Sequence, residues 1–249
     1  MEGRKEGKKM FHFKLQFKLE NNFLPKEMDK LIVSFLKAAT MNYNEDLYNQ
    51  LYDKTKSIIK TYTYSCYLPG AKFKGDRIEL DKNEFSLFFS DSDQAELLHF
   101  FNAFQLMKFK KYPMNGNSMQ LVSIYMQKLD EIKEEEIVIK IQSPLIVRKH
   151  NSDDNSDVYY TCDMEGFEEA LKDNVRIFVE KTGLDVSVDE FSVQVIKGKK
   201  AVVPVFGRNT DSSLGIYKLT GSSKLLNILL MSGIGARRSE GHGKFEIIG

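Results

Sequence analysis

An α+β fold of two tandem βαββαβ units is what this sequence predicts, and three observations predict it. Strand-period and helix-period apolar patterns follow one another in the same order twice. The length of 249 residues accommodates two domains, each of roughly 100–130 residues. A charged stretch, KLDEIKEEE at residues 128–136, falls between the two repeats of the pattern. With 42% hydrophobic and 29% charged residues the chain has apolar material for a core, which excludes a disordered chain. The longest apolar run, around Leu225 to Met231, is far below the ~20 residues of a membrane helix, so no membrane partner is expected. The opening MEGRKEGKKM lacks the apolar centre of a signal peptide. Cys66 and Cys162 cannot make a disulfide framework, so a reduced, cytoplasmic, soluble protein is expected. The four histidines and two cysteines include no ligand-spaced pair, and neither a metal nor another cofactor is expected.

In the first repeat, Met10 to Leu19 alternates, placing Phe11, Phe13, Leu15, Phe17 and Leu19 on one face of a half-buried strand. Pro25 sits near a helix start, and Met28, Leu31, Ile32, Phe35 and Leu36 follow at helical spacing. Lys60 to Leu68, rich in Tyr and Thr, reads as a strand ended by the turn Pro69-Gly70. Arg77 to Leu80 and Phe85 to Phe89 read as further strands. Ser90 or Asp91 is the candidate cap of a helix through Leu97, Leu98, Phe101 and Phe104. Pro113 to Asn117 reads as a loop and Gln120 to Met126 as a strand.

In the second repeat, Ile137 to Ile141 is an apolar strand, and Tyr159 and Tyr160 read as part of an edge strand. Asp163 to Thr182 is helical, with Gly183 as its stop. Phe191 to Ile196 and Val202 to Phe206 are strands, the second running on towards Leu219. Ser222 to Met231 is a helix and Lys244 to Ile248 a final strand. Two βαββαβ units make two ferredoxin-like domains, over residues 10–130 and 137–249, behind a disordered tail at residues 1–9.

The net charge of +1 hides an uneven distribution. Residues 128–190 carry 17 acidic against 8 basic groups, whereas residues 197–249 carry 9 basic against 3 acidic. A basic C-terminal segment suits a polyanion, since binding responds to local rather than total charge. Its strongest motif is Ser232 to Glu246, SGIGARRSEGHGKFE. Gly233, Gly235, Gly241 and Gly243 frame Arg237, Arg238 and Ser239, a pattern suited to close approach of a phosphate. It is not a P-loop, because no Gly-Lys-Ser/Thr ends it, and not a dinucleotide fingerprint, because it follows a helix and precedes a strand.

This stretch resembles the glycine-rich loop of the CRISPR-associated endoribonucleases that process precursor CRISPR RNA, the sixth Cas protein of the wider repeat-associated superfamily. Three further passages agree: KTYTYS at residues 60–65, QSPLIVR at 142–148 and SSLGIYKLT before the terminal helix are similar to family strands in the same order. The resemblance implies a metal-independent nuclease acting on repeat RNA. In-line attack of a ribose 2′-OH leaves a 2′,3′-cyclic phosphate and a 5′-OH. It implies a catalytic histidine before the Thr-aromatic-Ser strand, where this chain has Tyr52, with Tyr48 as a second candidate nearby. Lys60 falls on the family's lysine, as electrostatic stabiliser. A tyrosine base requires a lowered pKa, which Lys54, Lys56 and Lys60 are placed to supply. His242, inside the loop, is the candidate histidine to replace the missing one; His12 is weaker, and His99 and His150 read as structural.

For RNA contacts, the resemblance adds Lys197, Lys199 and Lys200, read as a hairpin tip between strands, and Arg208 in a loop, to Gly233, Gly235, Arg237, Arg238, Ser239, Gly241 and Gly243. CRISPR repeat RNA is the expected partner, while an RNA-guided effector complex and a second copy of the chain stand open as others. The alternative function is a repeat-RNA-binding protein of the same family that does not cut.

Overall fold

The computed structural model describes residues 9–249, so the tail expected over residues 1–9 lies outside it but for Lys9. The first unit comprises β1 (Met10–Leu19), β2 (Phe23–Pro25), α1 (Met28–Tyr43), α2 (Glu45–Tyr52), β3 (Tyr62–Tyr67), β4 (Lys72–Lys74), β5 (Arg77–Glu79), β6 (Glu84–Asp91), α3 (Gln94–Met107), β7 (Lys111–Met114) and β8 (Asn117–Leu129). Its antiparallel sheet runs β3-β6-β1-β8-β7. Alternation in β1 puts Phe13, Leu15, Phe17 and Leu19 into the core, none more than 2% exposed. Phe17 stacks on Phe85 of β6 at 4.8 Å and meets Phe35 of α1 edge-on at 5.2 Å, tying sheet to helix. Each such side chain contributes about 1.5–3 kcal/mol through burial. β5, within the expected strand Arg77 to Leu80, joins β2 and β4 in a separate small sheet.

The second unit comprises β9 (Glu136–Ile141), β10 (Val147–Asn151), β11 (Ser156–Tyr160), α4 (Phe167–Thr182), β12 (Ser192–Val205), β13 (Arg208–Thr220), α5 (Ser223–Ser232), a 3-10 turn (Arg238–Glu240) and β14 (Phe245–Ile247). The sheet order is β12-β13-β9-β14, while β10 and β11 pair as a separate hairpin. Both main sheets thus place the unit's strands in the order second, third, first, fourth. That is the ferredoxin-like arrangement, occurring twice as expected.

Several local expectations give way. Asp93, not Ser90 or Asp91, caps α3, accepting from the N–H groups of Ala95 and Glu96, because Ser90 and Asp91 are still paired in β6. Pro113 lies within the β7–β8 hairpin rather than in a loop. Lys197, Lys199 and Lys200 are not a hairpin tip: β12 runs through them to Val205, and the turn is Phe206-Gly207, directly before Arg208. A Lys-Gly-Lys-Lys string reads as a turn by composition, but the β-branched Val202, Val203 and Val205 carry the ladder onward.

That long hairpin crosses to the first unit, where the Phe206 N–H donates to Asp29 Oδ2 of α1 at 2.6 Å. The glycine-rich segment rests on β3 and β6. Thr63 Oγ1 donates to the Arg238 carbonyl at 3.1 Å and Ser90 Oγ to the Met231 carbonyl at 2.7 Å. Among the described residues no helix is long and apolar enough to cross a membrane.

Candidate functional site

Where the two units meet, a crevice of about 290 Å³ opens. One wall is Ile58, Ile59 and Lys60, the segment leading into β3, and another is residues 235–240 of the glycine-rich loop. Arg148 and His150 of β10, with Asn174, Ile177 and Phe178 of α4, close it. The lining mixes apolar side chains, Ile58, Ile59, Ile177 and Phe178, with the cations Lys60, Arg148, Arg237 and Arg238, which suits a nucleotide, apolar on its base and anionic on its phosphate.

The loop's shape explains its glycines differently from the expectation. A Cβ on Gly241, at φ +87°, would lie 2.5 Å from the Tyr64 ring. On Gly243, at φ +70°, it would lie 1.8 Å from the Ile234 carbonyl oxygen. These positions need glycine because the loop folds tightly on itself and on β3. Several of its N–H groups are spent internally: Ile234 donates to the Gly243 carbonyl, Ala236 to Ile146 and Gly243 to Pro144.

The loop's cations are held firmly. The Arg238 guanidinium stacks 3.6 Å above the Phe178 ring, and burial pulls its pKa down to about 9 against the opposing pull of Asp91. Arg237, in the left-handed region at φ 56°, pairs with Glu240 at 2.9 Å. Ser239 lines the crevice beside them. Burial and the neighbouring Glu96 push the Asp91 carboxyl well above the usual carboxylate range.

Beside the crevice, the Lys60 ammonium lies 5.2 Å from the centre of the Tyr52 ring, and Lys37 of α1 lies 5.4 Å from the same ring. Neither ammonium forms an ion pair within 4.0 Å among the described residues. Burial lowers the Lys60 pKa against the opposing pull of Glu240, and Lys37 adds to the lowering. Both ammoniums thus sit against the Tyr52 ring, and of the two Lys60 lines the crevice.

The expected base does not fit its role. Tyr52 is 8% exposed and its hydroxyl meets that of Tyr62 at 2.9 Å. Burial raises its pKa, contrary to the expected lowering, because Lys54 and Lys56 point into solvent, where Lys56 pairs with Asp53. Tyr48 packs on Tyr52, ring centres 5.5 Å apart. His242 does not reach the crevice: it is 6% exposed, and burial lowers its pKa to about 4, leaving it neutral. His12 is also lowered to about 4, by burial and by Lys244. Lys197, Lys199 and Arg208 are exposed on the β12–β13 hairpin, outside the crevice lining, and Lys200 pairs with Asp211 at 2.9 Å. Of the expected site residues, the structure brings together Lys60, Gly235, Arg237, Arg238 and Ser239.

Sequence reasoning missed Lys37, Arg148 and His150. Nothing local marks Lys37, one lysine on an amphipathic helix. A hairpin reading of residues 147–160 finds the others, since it sets Arg148 and His150 on one face and Asp157 opposite His150.

The architecture defines a tandem ferredoxin-like protein whose units meet at a crevice lined by basic and apolar residues. The same fold occurs in solved structures. An RAMP protein binding different RNA substrates aligns over 96% of this chain and 100% of its own, at TM-score 0.81 and 19% identity. The product of a Cas6-related gene from Pyrococcus furiosus aligns over 97% and 99%, at 0.82 and 18%. A Cas6 product complex aligns over 96% and 100%, at 0.69 and 13%. At these identities the likeness is one of fold. No curated protein sequence matches the chain. Residues 127–247 match the family described as CRISPR associated protein Cas6, C-terminal. That match lies on the second unit, and together with the fold shared over the whole chain it supports a protein of the Cas6 family of CRISPR-associated proteins.

Proposed function

We propose that this protein binds CRISPR repeat RNA at the inter-unit crevice and cleaves it by attack of a ribose 2′-OH on the adjacent phosphate. The observation carrying this reading is the convergence of Lys37 and Lys60 on the Tyr52 ring at the edge of a crevice that also presents Arg148 and Arg237. Cations so placed offset the charge that builds on the non-bridging phosphate oxygens in the transition state. Lys60, its pKa lowered by burial, is suited to give a proton to the departing 5′-oxygen. The O2′–P bond forms, the P–O5′ bond breaks, and the products are a 2′,3′-cyclic phosphate and a 5′-OH. The Tyr52 phenol, buried and bonded to Tyr62, contributes its ring face to the lysines rather than a base.

One observation favours the second reading, a protein that holds the repeat without cutting: a tyrosine with a raised pKa stands where the resemblance implies a catalytic histidine. One experiment separates the two. Labelled repeat RNA is incubated with the protein in EDTA, beside an RNA carrying a 2′-deoxy nucleotide at the scissile position. A discrete cut ending in a cyclic phosphate and lost in the deoxy RNA is the expected result. Tight binding of both RNAs without a cut would establish the holding role instead.

A further inference from the structure

The RNA-cleavage reading leaves the 2′-OH proton without an acceptor, and the crevice itself contains a candidate. Of the four histidines, only His150 lines it. Its Nδ1 lies 2.9 Å from Asp157 Oδ1, the residue directly opposite it across the β10–β11 ladder. The other carboxylate oxygen, Oδ2, accepts from Arg148 Nη1 at 3.1 Å. With Nδ1–H given to the carboxylate, the ring is fixed in the tautomer whose Nε2 lone pair is free. A carboxylate that orients an imidazole and steadies its protonated form is the arrangement of an activated general base.

The hairpin is rigid where this requires it. Asn174 of α4 clamps the Arg148 backbone from both sides, accepting from its N–H at 3.1 Å and donating to its carbonyl at 2.6 Å. The turn between the strands is closed by Asp154, which accepts from both the N–H and the hydroxyl of Ser156. Partial burial pushes the Asp157 carboxyl up, but the bonds from His150 and Arg148 outweigh it and keep it ionised.

Resting on the cleavage reading, we infer that His150, oriented by Asp157, is the general base that takes the 2′-OH proton of the bound RNA. The base then comes from the second unit's hairpin rather than from the segment before β3. In the step, the 2′-OH proton passes to His150 Nε2 as the O2′–P bond forms. The P–O5′ bond breaks, and the 5′-oxygen takes its proton from the Lys60 ammonium. Solvent then resets both groups. The charged groups around His150 are Asp157, Asp154 and Lys149 of its own hairpin, Arg148 beside it, and Lys60, Arg237, Arg238 and Glu240 lining the crevice.

The test is single-turnover cleavage of repeat RNA in EDTA across pH, for the parent chain, His150→Ala and Asp157→Asn, with RNA affinity measured alongside. The parent is expected to cut with a rate that rises through one ionisation as pH increases. His150→Ala is expected to lose about 10²-fold or more in rate, to keep its RNA affinity, and to recover rate when imidazole is added. Asp157→Asn, a positioning change, should slow cleavage less than His150→Ala, lowering the rate constant while leaving RNA affinity unchanged. A parent that cuts beside a His150→Ala that cuts equally well overturns the assignment and leaves the cleavage reading standing. Loss of cleavage together with loss of RNA affinity makes His150 a binding residue and also overturns it. A parent that does not cut at all overturns the cleavage reading and this inference together.

Discussion

Lys244 offers the sharpest test of how the two units are held against one another. The residue is 4% exposed, and its ammonium donates to Ser90 Oγ at 2.5 Å. Burial lowers its pKa from 10.5 to about 7. A difference of that size corresponds to about 5 kcal/mol at ~1.4 kcal/mol per decade. The cost is fully present below the folded-state pKa, where both the folded and unfolded chains carry the charge. It shrinks as pH rises, because the folded chain releases its proton first, and it vanishes above the unfolded pKa. Lys244→Met removes the charge at similar volume. Ser90 keeps a partner, since its hydroxyl still donates to the Met231 carbonyl. Allowing about 1 kcal/mol for the lost bond to Ser90, the variant should gain roughly 4 kcal/mol near pH 6.5. That is an increase of roughly 8–16 °C in Tm for a chain of this size. Thermal unfolding at pH 6.5 and again near pH 9.5 is the assay, and the gain should be much smaller at the higher pH. A variant melting at or below the parent at pH 6.5 would refute the reasoning, because the buried ammonium would then be a net asset.

Gly243→Ala should destabilise by more than about 3 kcal/mol. The left-handed φ alone costs ~1–2 kcal/mol, and the new Cβ would meet the Ile234 carbonyl oxygen at 1.8 Å. A urea-midpoint change worth under ~1 kcal/mol would contradict this. Asp29→Ala should cost about 1.5–3 kcal/mol and expose the Phe206 amide to hydrogen exchange, since that N–H donates to Asp29 at 2.6 Å; an amide that stays protected would show the hairpin tip held by something else. Replacing Arg148 and Arg237 together by alanine should weaken RNA binding and flatten its dependence on salt, each lost phosphate contact lowering the log–log slope by roughly 0.7 on a single strand. An unchanged slope would take the crevice out of the RNA path.

How much of this was legible follows from the range of the forces involved. The period of apolar residues records which face of an element is buried, so β1, α1, α3, α4 and α5 could be read locally. The repeated order of those elements was enough for two ferredoxin-like units, and their short-range motifs for the family. Composition misled at Lys197–Lys200, where turn-like residues sit in a strand because cross-strand pairing overrides them. The site depended on distance in space alone. Lys37 and Lys60 both reach the Tyr52 ring only when α1 packs beside the segment entering β3. Arg238 finds the Phe178 ring only when the second unit folds its loop back onto α4. The pKa values diverge furthest from sequence expectation for the same reason. Tyr52 was expected to ionise more easily for its neighbouring lysines, yet desolvation, which no sequence window records, moves it the other way. The sequence by itself determined which residue types were available and in which elements they stood. Only the tertiary structure decided which of them meet water, which meet each other, and so which are able to exchange a proton or hold a phosphate, because burial and through-space charge are properties of the packed chain.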